Sequence, residues 1–341
     1  MRELVDKLEN LKTLSPEEFK KLLACGDDYL FERARFKALE IYGNKIFMRG
    51  LIEFTSYCKN NCFYCGLRAE NKNAQRYRLS KGQILDCCNN GYALGFRTFV
   101  LQGGEDRYYT DEILAGIVSE IKTAYPDCAI TLSVGERDYE SYERLFKAGA
   151  DRYLLRHETA NDEHYRTLHP GSMSPENRKK CLRDLKKIGY ETGCGIMVGS
   201  PNQLPEHIVE DLMFIKELKP HMAGIGPFMP HSDTPFKNEK AGDLRLTLNI
   251  LAILRLMQPN LLLPATTALA TLDSRGRELG ILAGANVIMP NLSPPEVRAK
   301  YLLYNNKIGT GDEAAECVSD IRERIKKIGY EIVISRGDCY V

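Results

Sequence analysis

The feature that most constrains this chain is a repeated alternation of two textures. Eight short runs, β-branched or apolar and ending in polar or glycine residues, lie at 50–56, 97–102, 129–134, 151–158, 191–199, 222–228, 261–267 and 286–291. Between them apolar positions recur at helical spacing, over 81–94, 111–124, 138–147, 175–188, 205–218, 243–257 and 276–282. Strict alternation of strand and helix requires parallel pairing with right-handed crossovers, and eight such units close a ring. The expected fold is α/β, a complete (β/α)8 TIM-type barrel over 50–293. An open doubly wound sheet would need a topological switch and usually a glycine-rich phosphate turn after its first strand; here the first run leads straight into cysteines.

Residues 1–49 read as an all-helical N-terminal extension, a lid under the barrel. In it Ser15-Pro16-Glu17-Glu18 offers an N-cap, a proline at the first helical position and a glutamate three residues on. Residues 294–341 read as a short C-terminal extension packed on the barrel, with no Pro/Gly/Ser linker before it, so the whole is expected to be one domain.

Composition narrows the function. Of the 341 residues, 43% are hydrophobic and 27% charged, enough to bury on the order of 75% of the unfolded surface. Lys+Arg 47 against Asp+Glu 46 gives a net charge of +1, so no summed field steers the chain onto nucleic acid or anionic lipid. The most apolar stretch, 244–257, is interrupted by Arg245, Asn249 and Arg255, and the start MRELVDKLEN is charged and amphipathic, unlike a signal peptide. A cytoplasmic location is expected, with the 11 cysteines reduced rather than paired.

Three of these cysteines, Cys58, Cys62 and Cys65, follow the first run with the spacing CxxxCxxC. Three thiolates on one tight loop suit three corners of a cubane iron–sulfur cluster and leave the fourth iron open. The alternatives are a zinc site of three thiolates and a histidine, or three free thiols. Zinc would want a fourth ligand at CxxC or HxxxH spacing, and no such pair lies nearby.

With Tyr64 before the last cysteine, the triplet resembles that of the radical S-adenosylmethionine (SAM) enzymes. Seven strings extend the likeness: LIEFTSYCKNNCFYCGLRAENKN, VLQGGEDRYY, GADRYLLRHETAN, GYETGCGIMVG, GIGPFMPHSDTPFKNEKAGD, LPATTALAT and GANVIMPN. They look like the HydE family, radical SAM maturases that help assemble the active-site cluster of FeFe-hydrogenase, from about residue 50 to 305. The resemblance implies one 4Fe-4S cluster on Cys58, Cys62 and Cys65, and SAM as cofactor. SAM would be held by Tyr64, Gln102, Gly103, Gly104, Glu105, Glu158, Arg178, Met197 and Ile225: Gly103, Gly104 and Glu105 on its ammonium, Glu158 on the ribose, Arg178 on the carboxylate, and Met197 and Ile225 around the adenine.

On strand periodicity, Arg152, Leu154, Arg156 and Glu158 share one face of the 151–158 run, while Tyr153, Leu155 and His157 share the other. If Glu158 faces inward, so do Arg152 and Arg156, and two guanidiniums in a core call for an anion or for buried carboxylates such as Glu53. By resemblance the substrate site comprises Arg152, Arg156, Met222, Thr266, Thr267, Met289 and Tyr304, with Tyr301 also on the cavity. The substrate implied is a small anionic iron complex, a cysteine-bound Fe(CO)2(CN) species, with HydG as supplier and HydF as recipient.

His157 has the parity to pack behind the sheet, His231 reads as a loop residue, and Cys194 as a small buried thiol. Some family members carry a second cluster on three C-terminal cysteines; here KIGTGDEAAECVSD keeps only Cys317, with Cys339 far downstream, so one cluster is expected. Biotin synthase would need further strand thiols, which FVLQGG and ITLSVG lack. An enzyme related to methylornithine synthase and a non-catalytic iron–sulfur scaffold remain open as other readings.

Overall fold

The structure is a computed structural model and describes residues 1–308 and 317–340. The chain begins with three helices, α1 (Arg2–Leu11), α2 (Pro16–Leu23) and α3 (Tyr29–Tyr42). Ser15 closes a full capping box on α2. The N-terminal extension is not all helical, because β1 (Lys45–Met48) follows α3 and runs almost directly into β2 (Gly50–Thr55). KIFM is too short and unflanked to announce itself; its partners lie more than 200 residues away, in pairing with Val287 and Ile288 on one side and Glu331 to Val333 on the other.

Strand β2 starts a six-stranded parallel sheet continued in chain order by β3 (Thr98–Gly103), β4 (Ala129–Ser133), β5 (Arg152–Leu154), β6 (Glu191–Val198) and β7 (Met222–Pro227). Helices return the chain between them: α4 (Lys81–Ala93), α5 (Asp111–Ala124), α6 (Tyr139–Lys147), the pair α7 (Asp162–Leu168) and α8 (Pro175–Ile188), α9 (Pro205–Leu218), and after β7 α10 (Leu244–Met257). Ser80, Thr110, Asp138, Asn161, Ser174 and Asp243 each accept a backbone N–H at a helix start, which puts each helix entry just beyond a loop.

The seventh expected strand, 261–267, is reduced to single parallel bridges, Leu262 to Met222 and Pro264 to Val287. Thr266 already caps α11 (Thr267–Leu272), which leads to α12 (Gly276–Leu282) and the two-residue strand β8 (Val287–Ile288). A further bridge, Leu51 to Asn291, connects this side to β2. The two edges of the regular sheet are thus linked by bridges rather than by two full strands. The C-terminal part adds α13 (Pro295–Arg298), α14 (Val318–Lys327) and β9 (Glu331–Val333).

Helix α10 explains the most apolar stretch of the sequence. Every residue from Thr247 to Met257 is buried, because α10 lies between the sheet and helices α1, α2 and α3; a helix apolar all round needs such a cover. Two of its buried polar side chains are tied to surrounding groups: Asn249 donates to the carbonyls of Leu23 and Cys25, and Arg255 to the carbonyl of Gly284 and to Asn286. Among the described residues no helix is long and apolar enough to cross a membrane.

Candidate active site

All parallel strands end on the same side, and there the loops surround a cavity of about 270 Å³. The cysteine loop is aimed at it by β2, whose pairing with β3 shifts register between Glu53 and Thr55, a bulge that bends the strand end. Cys58, Cys62 and Cys65 all line the cavity and all are free thiols. Among the described residues no three His, Cys, Asp or Glu side chains converge as ligands of one metal ion; the triplet instead stands around a cavity rim. That disposition fits a cubane, which spreads its thiolates over separate irons. Burial raises the Cys58 thiol and, together with Cys58, pushes Cys65 up to about 12. Iron uptake therefore displaces protons from this loop.

Gly103 and Gly104 have a reason to be glycine that is visible in the packing. A Cβ on Gly104 would lie 2.2 Å from the Tyr57 carbonyl and 2.7 Å from Cys58 Cβ, and one on Gly103 2.6 Å from Thr55 Cγ2. The close approach they permit is to β2 and the cysteine loop. Glu105 then faces the cavity with its carboxylate between Lys59 Nζ at 3.1 Å and the Glu136 N–H at 3.1 Å. Gly135, at φ +80°, leaves it room.

Regular pairing in β5 ends at Leu154, so the two-residue parity stops there: Leu154, Leu155, Arg156 and Glu158 all reach the cavity. Glu158 adopts φ +65°, a costly conformation for a residue with a side chain. It is held by bonds from its N–H to Gly195 O at 3.0 Å and from the Met197 N–H to its own carbonyl at 3.2 Å. Arg156 pairs with Glu158 at 3.1 Å, donates to the Ile196 carbonyl and keeps Nε without a partner. Ser174 caps α8 and Pro175 opens it, so Arg178 sits in the first turn facing the mouth; it donates to the Arg156 carbonyl at 2.8 Å and pairs with Glu136.

Tyr64 lines the same cavity. His169 Nδ1 lies 3.0 Å from the Tyr165 carbonyl, so that nitrogen carries the proton, and Nε2 accepts from the Tyr64 hydroxyl at 3.3 Å. Burial takes His169 down to about 3, so this acceptor stays neutral.

Of the residues expected here, Cys58, Cys62, Tyr64, Cys65, Gln102, Gly103, Gly104, Glu105, Arg156, Glu158, Arg178, Met197, Tyr301 and Tyr304 come together around the cavity. Six others do not. Arg152 begins β5, level with Glu191, at the opposite end of the sheet. There its guanidinium is ion-paired with Glu191 and Asp338 and hydrogen-bonded to Thr98 and the Arg336 carbonyl; carboxylates answer it, not an anion. Ile225 points to the other side of β7, into the core shared with the helices. Met222 starts β7, packs with Tyr42, Phe47, Leu262 and Val287 and accepts from Arg49, while Met289 packs on the same cluster. Thr266 and Thr267 are taken up in the start of α11, and it is Ala268 that reaches the cavity.

Asn60, Ser133, Gly135, Met229 and Leu303 line it without having been anticipated; for Ser133 and Gly135 the end of the 129–134 run was the available signal. His157 packs behind the sheet against Phe214 and Asp211, and Cys194 is fully buried. Most of KIGTGDEAAECVSD, on which the expectation of a single cluster rests, lies outside the described residues, at 309–316.

A strand-end cavity edged by three thiols, a Gly-Gly-Glu turn and an inward Glu–Arg pair defines a class. The chain belongs to the radical SAM superfamily, whose pattern matches residues 52–215, and within it to the HydE family. It is 44% identical to the [FeFe] hydrogenase maturase subunit HydE of Thermotoga maritima, over 96% of this chain and 94% of that protein. It is 31% identical to the 3-methylornithine synthase of Methanosarcina acetivorans, over 84% and 83%. The crystal structure of methylornithine synthase (PylB) superposes with a TM-score of 0.86 at 27% identity, covering 97% of both chains. The protein is accordingly a radical SAM enzyme, and the family implies a 4Fe-4S cluster and SAM.

Proposed function

We propose that this chain matures FeFe-hydrogenase by acting on a small anionic iron complex, a cysteine-bound Fe(CO)2(CN) species supplied by HydG, and that its product passes to HydF. The observation that carries the reading is the 44% identity to HydE over nearly the whole chain, against 31% to a 3-methylornithine synthase. When bound, the cluster supplies the electron that cleaves SAM to a 5′-deoxyadenosyl radical.

The chain's own residues bind and orient. Cys58, Cys62 and Cys65 would hold one cluster, about four irons per chain, with the remaining corner open. Gly103, Gly104 and Glu105 would receive the SAM ammonium, Arg178 its carboxylate, Glu158 the ribose hydroxyls, and Met197 would lie along the adenine. Tyr64, fixed through His169, walls the same space. Arg156, which pairs with Glu158 but keeps its Nε without a partner, is the cation offered to the substrate, since a guanidinium fork can meet a second anion. A purely structural iron–sulfur scaffold would have no use for Glu105, Glu158 and Arg178 around one cavity.

The test is complementation of a strain deleted for the HydE function. Restored hydrogenase activity is expected; no restoration, together with formation of 3-methylornithine by the purified protein, would overturn the reading.

A further inference from the structure

The cysteine loop is built around a cation that neither the triplet nor the cavity requires. Arg76 lies eleven residues beyond Cys65 and turns its guanidinium back into the loop. Nη1 donates to the carbonyls of Ser56 and, at 2.9 Å, Leu67; Nη2 donates to those of Arg68 at 2.7 Å and Asn71 at 3.2 Å. Ser56 stands just before Cys58, while Leu67 to Asn71 follow Cys65, so one side chain ties both flanks of the triplet. Two further bonds tighten the same turn, Ala69 N–H to Asn60 O at 2.8 Å and Asn71 Nδ2 to Gly66 O at 2.7 Å.

The other arginines nearby are neutralised: Arg78 by Asp106, and Arg68 by Glu70. Arg76 has no carboxylate partner among the described residues, so its charge is offset only by carbonyl dipoles. A guanidinium satisfies several carbonyls at once through its planar fork, which an ammonium cannot reproduce.

The geometry points to Arg76 as a positioning residue for the iron–sulfur cluster: it shapes the cysteine loop to receive the cluster and supplies the positive charge that balances its thiolates. It touches no reacting atom. Groups that orient metal ligands from behind typically contribute ten- to hundredfold to metal retention. A nearby fixed cation also favours the reduced, more negative state of a cluster, since charge and hydrogen bonding set its potential. The proposal rests on the triplet holding a cluster, and the experiment separates the two.

Wild-type protein, Arg76→Gln and Arg76→Lys are loaded with iron and sulfide under anaerobic conditions. Iron release to a ferrous chelator is timed, and the cluster potential is measured by a redox titration followed by electron paramagnetic resonance. For Arg76→Gln, iron release about ten- to hundredfold faster than wild type and a more negative potential are expected. Arg76→Lys should lose iron faster than wild type but keep a potential close to it, since charge is retained and the fork is lost; this variant decides the matter if Arg76→Gln does not fold. Wild-type iron retention in Arg76→Lys, or an unchanged potential in Arg76→Gln, would overturn the role. Failure of the wild type itself to take up iron would instead remove the cluster reading beneath it.

Discussion

Arg152 and Arg156 show what residue-level reasoning can and cannot extract from a strand. Periodicity assigns both to one face, but four residues along a strand are about 13 Å, enough to separate the floor of the sheet from its mouth. Parity gives the face and not the height. Arg152 therefore meets Glu191 and Asp338, while Arg156 reaches the cavity. The cysteines were legible from their spacing, and Gly-Gly-Glu, Glu158 and Arg178 through the family resemblance, whose strings follow the strand ends; Glu158 itself is held in place by Gly195 and Met197. Met222 was not, since its surroundings come from distant segments, and Thr266 was not, since a helix starting at Thr267 takes it as a cap.

Titration of buried histidines gives a prediction at this same scale. Burial lowers His157 and His169 to about 3 and His164 to about 4. The unfolded chain binds protons near pH 6.5 that the folded chain refuses, so stability is present above that pH and is lost as pH falls toward 4. Asp211, held well above its usual value by burial, has the opposite sign, but burial lowers His221 and His231 as well, so the histidines outweigh it. The thermal midpoint should fall steadily between pH 7 and pH 5, and His169→Gln should flatten the slope; a midpoint independent of pH over that range would contradict the assignment of these rings as neutral.

At the scale of elements, the helices were the easiest to read. α5, α8, α9 and α12 have the expected bounds, because caps and apolar spacing are local signals. The seventh strand was misread: LLLPATT is apolar and short like its neighbours, yet Pro264 lacks an N–H for a ladder and Thr266 starts a helix. β1 was missed for the converse reason, a local pattern too weak to reveal pairing with β8 and β9.

The C-terminal segment has a structural task that follows from this. Residues 336–339 close the floor, with the Arg336 carbonyl accepting from Thr98 Oγ1 at 2.7 Å, Asp338 paired to Arg152, and the Cys339 N–H on Glu191 at 3.0 Å. Removing one partner of a fully buried charge costs about 3 kcal/mol, and less where that partner is half exposed, as Asp338 is. Asp338→Ala should lower the unfolding free energy by about 1–2 kcal/mol without changing SAM binding. A calorimetric SAM titration that changed alongside the melting curve would mean that floor and mouth are coupled.

Across the whole molecule, a net charge of +1 conceals a division of labour. At the floor Arg152 is neutralised by carboxylates, whereas at the mouth Arg156 and Arg178 face the cavity beside Glu158, Glu136 and three thiols. The run of parallel strands and helices from β2 to β7 could be derived from alternation alone. The chemistry gathers the cysteine loop with residues after several other strands, and the isolated bridges that link the edges of the six-stranded sheet join distant segments, a pairing that no local segment records.

Reductive cleavage of SAM in this cavity is expected to depend on Cys58, Cys62 and Cys65. It is tested most directly by measuring 5′-deoxyadenosine after the anaerobically reconstituted protein is incubated with SAM and a strong reductant. The wild type should form 5′-deoxyadenosine and Cys62→Ala should form none. Equal amounts from both, or none from iron-loaded wild type, would contradict the account.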